Sequence, residues 1–244
     1  MQRVVLAVGG GDREEFLQGL VTNDVAKLKD GLVYAALLSA QGKYLADFFM
    51  VPDEDRILID VAEPLAADLQ KRLGFYKLRA DVTIEKTDIA VTCGIGDAPD
   101  GAFTDPRDPN LGWRLYGAAE SPEVNWDALR VAHGIPEGGI ELIPNESYIL
   151  EMGFERLNGV DFRKGCYVGQ EVTARMKHKT ELRKGLAVVA LEGEVPAGTA
   201  ITRDGKPVGT VYTQAGGQGL AYLRFDRADA GMTADGVTVS RLDG

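Results

Sequence analysis

The chain has 244 residues, of which 45% are hydrophobic and 26% charged, and a formal net charge of −10. These values fit one large globular domain or two smaller ones and exclude a disordered or fibrous chain. The acidic balance argues against a general nucleic-acid coat protein, and no apolar run approaches the ~20 residues of a membrane helix.

Residues 3–8 read as a short strand. Asp12 is placed to cap the next helix, with Glu15 completing a capping box and Phe16, Leu17 and Leu20 forming the apolar side. That helix ends in Gly19-Leu20-Val21-Thr22-Asn23-Asp24, a turn rich in local acceptors. Thr22 and Asn23 there either reach a ligand or build an Asx-type turn. Residues 32–38 and 44–50 are apolar runs joined by Ser39-Ala40-Gln41-Gly42-Lys43, the spacing of a hairpin. A third strand, 56–61, follows the acidic turn 53–55. Pro64 opens a helix to about Leu73, with Leu65, Leu69 and Leu73 at helical spacing, and 81–85 and 89–92 return to strand. The succession predicts an antiparallel sheet with helices on one face.

From 94 to 110, Gly, Pro and Asp predict loop, and 111–116 a strand. Ser121-Pro122-Glu123 predicts a helix start leading to a stop at Gly134, with loop again over 136–144. Beyond Lys184, the runs 185–191, 200–202, 207–211, 219–223 and 237–241 lie between Gly, Pro and Asp turns, which predicts a small barrel or sandwich. The domain boundary is expected near 180–184.

The N-terminal apolar stretch is too short for a signal peptide and meets Asp12-Arg13-Glu14-Glu15 at once, so a cytoplasmic location is expected. Cys93 and Cys166 are far apart and neither has a C-x-x-C partner, so no disulfide scaffold is expected. With His133 and His178 as the two histidines, no resident metal site is expected either. Cys93 ends an apolar strand and reads as core. Cys166 follows Lys164-Gly165 and precedes Gly169 and a helical stretch, 170–176. A helix start and a nearby lysine would both favour a thiolate there, and the alternative is a small buried hydrophobe. Around it, seven basic residues between Arg163 and Lys184 stand against Glu171 and Glu181, a local charge of +5 that is either a solvated basic face or a patch suited to an anionic ligand or partner.

The string Asp161-Phe162-Arg163-Lys164-Gly165-Cys166-Tyr167-Val168-Gly169-Gln170-Glu171, continued by Thr173-Ala174-Arg175, resembles the signature of the YgfZ family, relatives of the glycine-cleavage aminomethyltransferase. Residues 16–24, Gln41-Gly42-Lys43 with Asp47, and Phe75-Tyr76-Lys77-Leu78-Arg79 also fall in that family's order. The resemblance implies an α+β fold: a folate-binding region over 1–180 with an embedded ferredoxin-like subdomain (about 1–30 and 90–180 around 31–90), then a β-barrel over 181–244. It implies a tetrahydrofolate-binding accessory protein for iron–sulfur cluster assembly or repair. Cys166, Lys164 and Asp47 would be its functional groups. Glu151, in Glu151-Met152-Gly153, would accept paired hydrogen bonds from a pterin. Further folate contacts implied are Thr22, Asn23, Tyr76, Arg79, Tyr167, Gln170 and Arg175. The expected partners are folate and iron–sulfur client or assembly proteins, without a membrane, for a monomeric chain.

Two rivals remain. An active aminomethyltransferase needs an acid group beside the folate nitrogens. Those transferases carry adjacent aspartates where this chain has Asp47 alone, which favours an accessory role over a classical enzyme. A link to tRNA modification is the other, but no RNA-binding motif with stacking aromatics accompanies the basic stretch, so nucleic acid is not an expected partner.

Overall fold

Strand β1 (Arg3–Gly9) lies inside a five-stranded antiparallel sheet, ordered β2-β3-β4-β1-β5, with β2 (Val33–Leu38), β3 (Tyr44–Pro52), β4 (Ile57–Ala62) and β5 (Thr83–Lys86). The structure is a computed structural model that describes residues 2–120, 123–178 and 181–242. Because side chains alternate along a strand, Val4, Leu6 and Val8 face one layer and Val5 and Ala7 the other. The first layer holds helix α1 (Arg13–Gln18), a 3-10 turn at Val25–Asp30 and helix α2 (Glu63–Lys77), which inserts Ala66, Leu69 and Leu73. The opposite face is covered as well. A small sheet of β6 (Val91–Gly94), β7 (Phe103–Thr104) and β8 (Trp113–Tyr116), ordered β6-β8-β7, packs there. Beside it Tyr34, Tyr44, Phe49, Phe154 and Tyr167 share a core with residues 135–160. Fully burying an aromatic or aliphatic side chain of this kind contributes about 1.5–3 kcal/mol.

Three local expectations change. Asp12 makes no side-chain cap on α1; its carboxylate accepts instead from the Asp81 N–H at 2.8 Å, tying α1 to the start of β5. Ser121 and Pro122 lie outside the described residues, and the helix there, α3 (Trp126–His133), is capped by the Asn125 side chain and stopped by left-handed Gly134. Residues 1–30 do not form a part separate from 31–90, since β1 pairs with both β4 and β5.

Helix α4 (Gln170–Lys177) leads to the C-terminal barrel, and the boundary expected near 180–184 falls partly outside the described residues. The barrel closes as β10-β11-β12-β9-β14-β13, from β9 (Lys184–Leu191), β10 (Ala200–Arg203), β11 (Lys206–Ala215), β12 (Gln218–Arg224), β13 (Met232–Ala234) and β14 (Val237–Arg241). The strands not foreseen are β13 in the barrel and β7 in the span 94–110 read as loop; with three and two residues they carry too little alternation to read from sequence. Among the described residues no helix is long and apolar enough to cross a membrane.

Candidate functional site

Strand register assembles a polar row on the sheet face turned away from α1 and α2. Tyr34 lies opposite Phe49, and Phe49 opposite Asp60. Asp47, two residues before Phe49, shares that face. Its carboxylate accepts from the Tyr34 hydroxyl at 2.9 Å and the Tyr44 hydroxyl at 2.6 Å. Burial, reinforced by the Asp47 charge, raises both phenols well above their ordinary value, so they stay protonated and serve as fixed donors. A β-carbon on Gly138 would sit 2.7 Å from both Asp47 Oδ1 and the Tyr44 hydroxyl, so only glycine lets the chain pass so close.

Asp60 is fully buried and accepts from Arg3 Nε at 2.6 Å, Arg114 Nη2 at 2.7 Å and the Tyr116 hydroxyl at 2.9 Å. Burial alone would raise its pKa, but the two guanidinium groups overcome this and hold it at about 2. Asp105 takes Arg107 in a bidentate pair at 3.0 and 2.8 Å. The guanidinium carbons of Arg3, Arg107 and Arg114 lie 5.7, 4.8 and 4.1 Å from the Phe49 ring centre. Arg114 Nε is buried with no hydrogen-bond partner among the described residues. These three arginines, with Asp47, Arg130, Glu137 and Gly138, line a cavity of about 260 Å³. Cys93, expected in the core, also lines it, and burial pushes its thiol pKa up. The sequence reading missed Arg107, Arg114 and Asp60; the available signal was a charge interrupting an apolar run, as in Ile57-Leu58-Ile59-Asp60-Val61.

The Cys166 loop is built elsewhere. Lys164 is engaged by an earlier turn of the chain: its buried ammonium donates to the carbonyls of Gln18, Val21 and Asn23 at 2.8, 2.5 and 3.0 Å. Burial lowers its pKa to about 8, so it is still charged at neutral pH. Lys164 is therefore an anchor that ties this loop to the turn at residues 18–23. On the other side Tyr167 is buried in the core, and Gly169 (φ 82°) meets the β2–β3 turn, where a β-carbon would lie 2.5 Å from the Ser39 carbonyl oxygen. Between these fixed points Cys166 is exposed, not buried, and it lines neither the Asp47 cavity nor the groove beside Glu151.

The remaining candidates are scattered. Thr22 donates to the Gly159 carbonyl at 2.7 Å and accepts from the Ala36 N–H at 2.8 Å, while the Asn23 amide donates to the Tyr34 and Asn158 carbonyls. Both are buried structural ties across the fold, and neither lines the cavity. Glu151 accepts from the Tyr222 hydroxyl at 2.6 Å and lines a groove between α4 and the barrel, separate from the Asp47 cavity. Gln170 reaches the Gly165 carbonyl at 3.5 Å. Arg175 is exposed and pairs with Glu171 at 2.7 Å. Lys177 pairs with Glu155, and Lys184 lies 3.9 Å from Glu151. Of the basic residues in this stretch Lys164 is buried, Arg175, Lys177 and Lys184 lie beside carboxylates, Arg163 and Arg183 are exposed, and Lys179 lies outside the described residues. Tyr76 and Arg79 sit exposed at the end of α2, away from both cavities. Among the described residues no group of three His, Cys, Asp or Glu side chains is arranged to hold a metal ion.

Known proteins and a known family are similar to this chain. Residues 183–242 match the family described as CAF17, C-terminal beta-barrel domain. The mitochondrial iron-sulfur cluster assembly factor IBA57 of Mus musculus is 31% identical over 272 residues, spanning 92% of this chain and 76% of the mouse protein. Its Homo sapiens counterpart is 31% identical over 91% of this chain and 75% of the human one. The crystal structure of glycine cleavage system aminomethyltransferase T from Bartonella henselae matches with a TM-score of 0.76 at 13% identity, over 99% of this chain and 83% of that one, a likeness of fold. The expected α+β architecture with a C-terminal barrel is thereby shown. The relatives carry the name IBA57 where the sequence resemblance pointed to YgfZ. The cytoplasmic location is corrected: these relatives are mitochondrial proteins, and the apolar run at residues 4–8 does not discriminate the two compartments.

Proposed function

Because this chain belongs to the family of the iron–sulfur cluster assembly factor IBA57, we propose that it acts in assembly or repair of iron–sulfur clusters in client proteins, with the Cys166 thiol as its functional group. The observation that carries this reading is the exposed thiol on a backbone clamped by Lys164 on one side and Tyr167 and Gly169 on the other. A clamped loop presents sulfur to a partner or cluster with little entropy left to lose. The test is removal of the protein from its host cells. Activities of iron–sulfur enzymes are expected to fall several-fold while enzymes without clusters keep theirs, and re-expression restores them. Unchanged iron–sulfur activities in the deletion strain would refute the assignment.

A folate is the proposed resident ligand, and the Asp47 cavity suits its ring system. The carboxylate is held by two tyrosines with acceptor capacity left over, and Arg114 Nε lacks a partner among the described residues. At about 260 Å³ the space lies just below the usual range of ligand cavities, which fits a bicyclic head with the tail outside. Calorimetric titration with tetrahydrofolate separates this site from the one at Glu151. Asp47→Asn is expected to weaken binding about tenfold or more, the loss of a charged acceptor being worth ~1.5–3 kcal/mol, and Glu151→Ala to leave it within about twofold. The reverse order would move the ligand to the groove beside the barrel, and no heat with wild type would remove folate from the account.

A further inference from the structure

Helix α2 buries Ala66, Leu69 and Leu73, and the opposite side of an amphipathic helix is ordinarily polar. Its last turns break that rule. Phe75, Tyr76 and Leu78 are 68%, 41% and 88% exposed, three of the six large hydrophobic side chains left exposed among the described residues. Lys71, Gly74, Phe75 and Leu78 follow at spacings that share one helix side. Gly74 has open space where a side chain would stand, so that side is flat around Phe75. Leu78 is held at φ 46°, ψ −103°, a region that branched L residues avoid, with its side chain packed against almost nothing. Burial thus returns little to the strained residue within the chain itself.

Charge singles out the same place. Between 71 and 79 there are four basic residues, Lys71, Arg72, Lys77 and Arg79, and no acidic one, in a chain of net charge −10. Arg72 is neutralised by Asp68 at 2.5 Å, while Lys71 stays near the exposed Phe75 ring at 5.8 Å. Exposed aromatics ringed by cations mark a protein interface, with apolar anchors inside a charged rim. The net −10 disfavours approach of the whole molecule to an anionic bilayer. Val168, two residues past Cys166, packs against the same apolar layer that takes the buried stripe of α2.

We propose that the C-terminal end of α2, with Phe75 and Leu78 as anchors and Lys71 and Arg79 as its rim, is a docking surface for a protein partner that presents carboxylates around an apolar recess. The surface stands on its own geometry; identifying its occupant with an iron–sulfur assembly or client protein rests on the function proposed above.

The test places a photo-reactive benzoylphenylalanine at Leu78 of the full chain in living host cells, with mass spectrometry of the cross-linked products. The expected result is one discrete partner protein, cross-linked at a site bordered by carboxylates. Its yield should fall about tenfold with Lys71→Glu/Arg79→Glu and fall likewise with Phe75→Ser, both variants melting within about 2 °C of wild type. The product should persist in a Cys166→Ala background, which keeps this surface distinct from the thiol's role. No product, a product indifferent to charge reversal, or a cross-link to a second copy of this chain would overturn the proposal. So would flotation with vesicles of about 30% anionic phospholipid that Phe75→Ser abolishes, since the surface would then be a lipid contact.

Discussion

Asp60→Ala is expected to destabilise the fold by about 3–5 kcal/mol, because breaking a buried ion pair from one side strands the charges left behind. Asp60 is fully buried beneath Arg3, Arg114 and Tyr116, so its removal leaves two guanidinium groups and a phenol with their shared acceptor gone. Equilibrium urea denaturation reads this as a lower midpoint. Asp60 also sets part of the acid limb. Its folded pKa of about 2 lies below the ordinary carboxylate value near 4, so the unfolded state binds more protons between those limits. The stabilisation, roughly 2 kcal/mol, is fully present above pH ~4 and is lost as pH falls toward ~2. Asp60→Asn should flatten that part of the wild-type stability profile, and an unchanged acid limb would show that the arginines do not hold the carboxylate charged.

Lys164→Met is the second large effect. The substitution keeps an unbranched chain of similar length but removes the donor to three backbone carbonyls, those of Gln18, Val21 and Asn23. Leaving buried acceptors unmet costs about 1–3 kcal/mol each, and partial rehydration brings the expected total to about 2–4 kcal/mol. Lys164→Arg is expected to recover little of this, since a planar guanidinium does not direct three donors at carbonyls grouped around a compact ammonium. The loop carrying Cys166 should loosen in both variants, seen as faster amide exchange over residues 165–169 with the barrel unaffected. A Lys164→Met protein as stable as wild type would remove the anchoring role.

The same residues show why part of the site could be read from sequence and part could not. The β2–β3 hairpin, the α2 core stripe and most of the barrel follow from periodicity and turn residues, because those depend on neighbours in sequence. The Cys166 motif was visible for the same reason. Partners were not. Asp60 and Arg114 each interrupt an apolar strand, which signals a buried charge in need of a counterion, yet they are 54 residues apart and only sheet packing joins them. Lys164 lies two positions from Cys166 and invited a local pairing, while its ammonium reaches a turn more than 140 residues earlier in the chain. Asp12 has the surroundings of a helix cap and is claimed by the Asp81 N–H across the sheet edge. In each case a long-range contact outbid a local one that sequence alone could display.

Under the proposed function the exposed Cys166 sulfur itself, not merely the fold that carries it, serves cluster assembly. The direct measurement is iron–sulfur enzyme activity in host cells lacking the chromosomal copy, complemented with wild type or Cys166→Ala at equal expression and matched melting temperature. Cys166→Ala is expected to leave those activities near the deletion level, about tenfold or more below the wild-type gain. Full restoration by Cys166→Ala would contradict the claim and make the thiol a structural residue.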